Sequence, residues 1–178
     1  LSAKGEKDIF VAKLDSDGNW LWAQKAGGLS YDWGYSIATD SWGNSYITGF
    51  FQDTVTFRES LTLTSSGGFD IFVAKLDSSG NWLWAQKAGG GSADQGYGIS
   101  TDSSGNSYIT GYFNGTATFG NNISLYSNNN SQDIFVTKVH IPYFPNDVYV
   151  VEETTGLKIK VSGGDAERGN LDGFPPIP

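Results

Sequence analysis

The sequence predicts an all-β protein made of β-propeller-like blades of four antiparallel strands, repeated about two and a half times and not closed within one chain. Three observations predict it: an internal repeat of 62 residues, two hairpins of one kind in each unit, and strands that are apolar on both faces.

The repeat is read by laying the chain on itself. "DIFVAKLDSDGNWLWAQKAGG" at 8–28 returns at 70–90, with Ser79 in place of Asp17. "YSIATDSWGNSYITGFF" at 35–51 returns as "YGISTDSSGNSYITGYF" at 97–113, and a third copy begins at "DIFVTKVH", 133–140, after one inserted residue. The repeat region is therefore 1–140, with a half unit at 8–28, a full unit at 35–89 and a partial one at 97–140. A period of this length signals an array of supersecondary units.

Within a unit, "IFVAKLD" and "WLWAQKA" are short β-branched and aromatic runs bounded by Asp, Ser, Gly and Asn, the pattern of strands. They are joined by Asp-Ser-x-Gly-Asn, which recurs at 15–19, 40–44, 77–81 and 102–106. Asp can accept a bond from its own backbone two residues on and Gly supplies a positive φ, so each is a hairpin turn. Two hairpins make four strands. Between them lie additions, 52–68 and 114–131, and Asn114-Gly115 in the second is a two-residue hairpin signal.

Ile9 and Val11 alternate with Phe10, Ala12 and Leu14, and Trp20 and Trp22 with Leu21 and Ala23, so these strands predict cover on both faces. The other hairpin carries small residues, Ser36, Ala38, Thr39 and Gly49. Sheets packed around an axis crowd at the inner strand and splay at the outer one, so small residues suit the inside and indoles the outer wedge of a blade. Blades usually take roughly 40–50 residues, and the additions account for the surplus. A two-sheet sandwich is the alternative.

"GYSIATDSWGNSYITGFF", followed by "TVTF", "LTLTSSGG" and "DIFVAKLDSSGNWLWAQKAGG", resembles the SBBP repeat, named for a seven-bladed β-propeller. The resemblance covers roughly residues 5–140. It implies a bacterial or archaeal protein, secreted or at the cell surface, in which such units are strung in numbers, and it brings no shared catalytic residue. Two and a half units are too few for a ring of at least about four blades.

Composition narrows the partners. The net charge of −8 disfavours nucleic acid and anionic membrane surfaces, whose recognition rests on Lys and Arg. Without cysteine there is no disulfide or thiolate metal site, and no apolar run reaches membrane-spanning length. Residue 1 is Leu and the chain opens partway through a repeat, as expected of a processed product or a piece of something longer. All five prolines follow residue 141, marking 141–178 as a non-repeat tail, with two strands in "DVYVVEE" and "GLKIKVS" and a Pro-rich end.

Candidate chemistry is sparse. The sole histidine, His140, sits at the repeat's edge beside proline, so no nucleophilic triad is expected. Asp15, Asp40, Asp77 and Asp102 recur as turn residues and not as a catalytic pair. Asp15, Asp17 and Asn19 space oxygens as calcium loops do, but the glycine is misplaced for such a loop and the other copies lack Asp17. "AGGGSADQGYG", 88–98, lacks the Lys and helix of a phosphate loop. No cofactor and no metal are expected, and no enzyme.

The best binding candidates come from differences between copies. Trp33 aligns with Gln95 and Trp42 with Ser104, so the fold does without either indole, and both are read as lying in connecting segments. With Tyr31 and Asp32 beside Trp33, they form the candidate binding set, able to stack on a sugar or anchor a protein. The expected function is a non-catalytic extracellular or cell-surface structural or adhesion module. It would self-associate or join another surface protein. The alternative is a lectin-like module that binds polysaccharide through these loop aromatics.

Overall fold

The computed structural model describes residues 2–102, 105–128 and 131–139, and two short strands at 148–151 and 158–161. The chain forms two compact units, Leu1–His140 and Ile141–Pro178. In the first, the strands are β1 (Ile9–Leu14), β2 (Trp20–Ala26), β3 (Asp32–Thr39), β4 (Ser45–Arg58), β5 (Leu61–Leu76), β6 (Trp82–Gly89), β7 (Gln95–Thr101), β8 (Ser107–Asn114), β9 (Thr116–Phe119), β10 (Ile123–Tyr126) and β11 (Gln132–Val139). In the second, β12 (Val148–Val151) pairs antiparallel with β13 (Lys158–Val161). Both strands expected in the tail therefore form, while His140 and the Pro-rich end lie outside the described residues.

Strands β3, β4, β5 and β6 lie side by side in chain order and make one complete antiparallel blade. β1 and β2 are the outer half of the blade before it, and β7, β8 and β11 are the first three strands of the blade after it. Among the described residues, the sheets do not close on one another. The four-strand unit and the open array are thus as the repeat predicts.

The turns show why each hairpin forms. Asp15 Oδ1 accepts from the amides of Asp17 (3.0 Å) and Asn19 (2.8 Å), and Asp15 Oδ2 accepts from Asn19 Nδ2 (3.0 Å). The same Asn-to-Asp pair of bonds closes the turns at Asp40, Asp77 and Asp102. Gly18, Gly43, Gly80 and Gly105 take φ between 76° and 89°, a conformation that an L side chain resists. The Asn is the element that reading the turn from Asp and Gly alone misses: it locks both carboxylate oxygens.

The two additions fold alike, each as a hairpin that continues the middle strands and reaches the outer strand of the blade before. In the first, β4 and β5 run on past the blade as one long hairpin, paired Val55↔Leu63 and Thr56↔Thr62. In the second, β9 and β10 extend the β8–β11 pair, with Ser127 N donating to Gly115 O (2.8 Å) at the junction, and the pairing Gly89↔Thr118 repeats the bridge Gly27↔Thr56 of the first. Asn114-Gly115 is therefore not a hairpin turn. The free edge of β8 is already occupied by β11, so the chain cannot fold back there. Gly115 does take φ +66°, but it redirects the chain, its amide donating to Ser127 Oγ (2.7 Å).

Burial explains the doubly apolar strands. Ile9, Val11 and Ala26 of the first blade share one core with Ile47, Phe51, Phe72, Ala74 and Leu76 of the second. Ile71 and Val73, on the opposite face of β5, are buried too. Each blade thus offers an Ile/Val face to the blade after it and a Phe face to the blade before it. Gly96 of β7 lies directly on this seam, where a Cβ would overlap Thr48 Oγ1 and come within 3.2 Å of Ile71 Cγ2. Gly96→Val is expected to cost about 1–3 kcal/mol by overpacking, whereas Gly91→Ala, with open space around it, stays within about 0.5 kcal/mol. Urea unfolding of both variants checks the pair.

Candidate functional site

The repeat places Asp32 and Trp33 at the start of β3, so Trp33 belongs to a strand and not to a connecting segment. Its ring stacks on Phe50 (centroids 5.8 Å) and meets Tyr35 edge-on (5.6 Å). Lys7 Nζ sits over the Trp33 ring at 4.1 Å and 6.0 Å from the centroid of half-exposed Tyr31. Asp32 is wholly buried and accepts from the Gly28 amide (2.7 Å). Burial pushes its carboxyl up to about 7, the nearby Asp8 adding to the effect against the bond from Gly28. Lys7, Asp8, Phe10, Asp32 and Trp33 line a shallow cleft.

Trp42 stands apart. It occupies the turn after β3, 63% exposed, with only its backbone amide held, by Asp40 Oδ1 (3.0 Å). At about 3.3 Å per residue along the strand, β3 puts Trp33 and Trp42 some ~20 Å apart. The structure thus brings Tyr31, Asp32 and Trp33 together and leaves Trp42 at the other end of the blade.

Asp15, Asp17 and Asn19 lie in the first turn, where the oxygens of Asp15 take up the bonds described above. Bonding from the Asn19 side chain, followed by its backbone amide, holds the Asp15 carboxyl below the usual range. Among the described residues, no three His, Cys, Asp or Glu side chains converge as a metal cage.

A second aromatic group escapes the comparison of differences. Tyr35 and Tyr97 occupy the same position in two units, each at a β-bulge, where the register shifts between Gly34 and Ser36 and between Gly96 and Gly98. A bulge re-aims its extra residue out of the ladder. The two phenols meet across the seam at 5.0 Å, and Tyr97 continues to Tyr112 at 5.6 Å. Trp33, Tyr35, Tyr97 and Tyr112 therefore form one partly exposed row over two blades. Tyr97 donates from its hydroxyl to Gln95 Oε1 (3.1 Å), the residue that replaces Trp33 in the second copy. The sequence signal was the repeated Gly-Tyr, which identity between copies assigns to the scaffold.

The model of the SBBP family, described as a beta-propeller repeat, matches residues 21–49 and 83–117. These two segments are SBBP-type repeats in sequence. Each match runs from the outer strand of one blade through the inner hairpin of the next, so the SBBP unit straddles the seam between blades. In sequence the chain is also similar to an uncharacterized WD repeat-containing protein, L264, of Acanthamoeba polyphaga mimivirus: 31% identical over 121 residues, 58% of this chain and 9% of that protein. It is 29% identical over 111 residues to the regulatory protein FlaEY of Caulobacter vibrioides, covering 61% of this chain and 12% of that protein. The chain thus spans about a tenth of the length of either relative.

Trp33→Ala is expected to cost about 1–3 kcal/mol because the ring is packed between Phe50, Tyr35 and Lys7, while Trp42→Ala changes stability by less than about 0.5 kcal/mol. Denaturant midpoints of the two variants measure the contrast.

Proposed function

We propose that this SBBP-repeat chain is a non-catalytic structural module whose blades stack head to tail with further blades of the same kind, on other copies or on other surface proteins. One observation carries the reading. Equivalent residues are buried wherever a neighbouring blade covers them and bare where none does. Phe72 is fully buried, but its counterpart Phe10 in the first blade is 72% exposed; Ile71 and Val73 are buried, but their counterparts Ile134 and Val136 in the third are 84% and 74% exposed. The bare faces are complementary, because inside the chain it is an Ile/Val face that meets a Phe face. Contiguous uncovered apolar surface of this kind marks an interaction site. Stacking of this type is heterologous, and it yields a ring if the rotation closes or a filament if it does not. A secreted or cell-surface setting in a prokaryote suits the kind of repeat.

A second reading, polysaccharide binding, is favoured by the row Trp33, Tyr35, Tyr97 and Tyr112. Phenol and indole faces suit the C–H faces of sugar rings, and display on several stacked copies would add avidity.

Light scattering over a wide concentration range tests the first reading. A mass that rises above the monomer is expected for the parent chain, and a monomer for Val136→Asp, whose side chain is exposed and leaves the fold unchanged. A parent chain that stays monomeric at high concentration contradicts the proposal. For the second reading, soluble polysaccharides should quench tryptophan fluorescence in the parent and not in the Tyr35→Ala/Tyr97→Ala variant. Silence across a broad glycan panel rejects it.

A further inference from the structure

The seams that hold the blades together contain buried acid in pairs. Asp70, within the third strand of the complete blade and paired with Phe51, and Asp94, at the entry to the next blade, are both fully buried. Both converge on Gly89, φ +145°: a Cβ there would lie 2.8 Å from Asp70 Oδ1 and 2.9 Å from Asp94 Oδ2. Asp94 bridges the seam. Its amide donates to Phe69 O (2.7 Å), while its carboxylate accepts from Gly90 N (2.8 Å) and Asn114 N (3.0 Å). Asp70 Oδ2 accepts from Ser66 N (2.8 Å), but Asp70 Oδ1 is buried with no hydrogen-bond partner.

One repeat earlier the arrangement recurs. Gly27 takes the place of Gly89, and a Cβ there would overlap the Asp8 carboxylate. Asp32 lies alongside, fully buried, and Asp8 Oδ2 accepts from Lys4 N (2.7 Å) as Asp70 does from Ser66 N. Asp8 Oδ1 is buried and unpartnered, as Asp70 Oδ1 is, while the Asp32 carboxylate faces the amides of Gly28 and Gln52 as Asp94 faces those of Gly90 and Asn114.

We propose that each pair, Asp70 with Asp94 and Asp8 with Asp32, shares one proton, so that every seam is fastened by a carboxyl–carboxylate hydrogen bond that comes undone as the solution turns alkaline. Two ionised carboxylates buried side by side repel each other and are both short of solvation, and retaining one proton relieves both penalties. The proton also supplies the missing partner of Asp70 Oδ1. A divalent cation fits less well, since calcium asks for about six to eight oxygen ligands and the partners found here are N–H donors. The only cation facing the Asp70–Asp94 pair among the described residues is Lys87 of β6, 3.6 Å from Asp70 Oδ2 and half-exposed. Asp32 faces two more acids, Asp8 and Asp53. Burial raises both Asp70 and Asp94, as it does Asp32.

The sign of the pH effect follows. The folded chain keeps a proton that the unfolded chain has released, so this stability is complete below the ordinary aspartate range and is lost as the pH rises through the folded value. Each such proton changes the folding equilibrium by up to about tenfold per pH unit. The experiment measures the melting temperature of the full chain from pH 5 to pH 8, alongside carboxyl 13C NMR of its aspartates. The expected results are a melting temperature that falls toward pH 8 and aspartate carboxyls that remain protonated above pH 5. Asp70→Asn, whose amide nitrogen can take the unpartnered Oδ1 position and donate, should melt higher than the parent at pH 8 with a flatter profile, and Asp8→Asn makes the same test at the other seam. A flat or rising parent profile, with every aspartate titrating below pH 5, overturns the proposal. So does stabilisation by millimolar calcium of the parent and not of Asp70→Asn, which would make the pair a metal site. The NMR titration decides the matter even if neither variant folds.

Discussion

Ile9 and Val11 of one blade press into the face that Phe51, Phe72 and Ala74 present on the next, and the rest of the structure depends on that contact. A lone four-stranded sheet with two apolar faces would leave both in water, so no blade is stable by itself. Covering both faces requires neighbours on both sides, which is why the sequence repeats. The indoles show the same dependence. Trp82 is buried against Phe57 (5.0 Å), whereas its equivalent Trp20 is exposed. Trp22 lies over the turn of the following blade, donating from Nε1 to Ser78 O (3.2 Å). The outer strand of one blade thus caps the hairpin of the next, and it is across this junction that the SBBP unit runs.

Polar groups set how the faces meet. Thr101 Oγ1 donates to Thr39 O (2.8 Å) and the Ile99 amide to Ser36 Oγ (3.3 Å), so the inner strands are joined by hydrogen bonds as well as by packing. Asp40 belongs to a turn but is nearly buried, with the Tyr46 hydroxyl at 3.1 Å and Lys75 Nζ at 3.9 Å. Burial lowers the Lys75 ammonium from its ordinary value, and the Asp40 charge partly opposes this. A repeat that buries acids at its seams fixes register, because sliding one blade on another would strand a charge in an apolar face.

Much of the fold was legible because its signals are local. Asp-Ser-x-Gly-Asn marks a turn whatever surrounds it, and alternation in "IFVAKLD" marks a strand with two covered faces. The Asn114-Gly115 signal failed for a non-local reason: which edge of β8 was free depended on β11, some twenty residues away. The candidate site was legible only in part. Asking where the copies differ finds Trp33 and Trp42, but position along β3 separates them. Asking where the copies agree would have found the rest. The offset that carries Trp33 to Gln95 carries Asp32 to Asp94 and Tyr35 to Tyr97, residues whose neighbours lie across a seam that only the packed blades reveal.

The stacking of successive blades is tested most directly at one amide. Asp102 N bonds Asn106 O, so by the alternation of an antiparallel pair the Ile99 amide points away from β8 and toward Ser36 of the previous blade. Its hydrogen exchange should be slow, as slow as that of the paired amides of β4 and β5, and should accelerate in Ser36→Ala. An Ile99 amide that exchanges at the rate of a free strand edge, unaffected by Ser36→Ala, would mean that the blades do not stack as described.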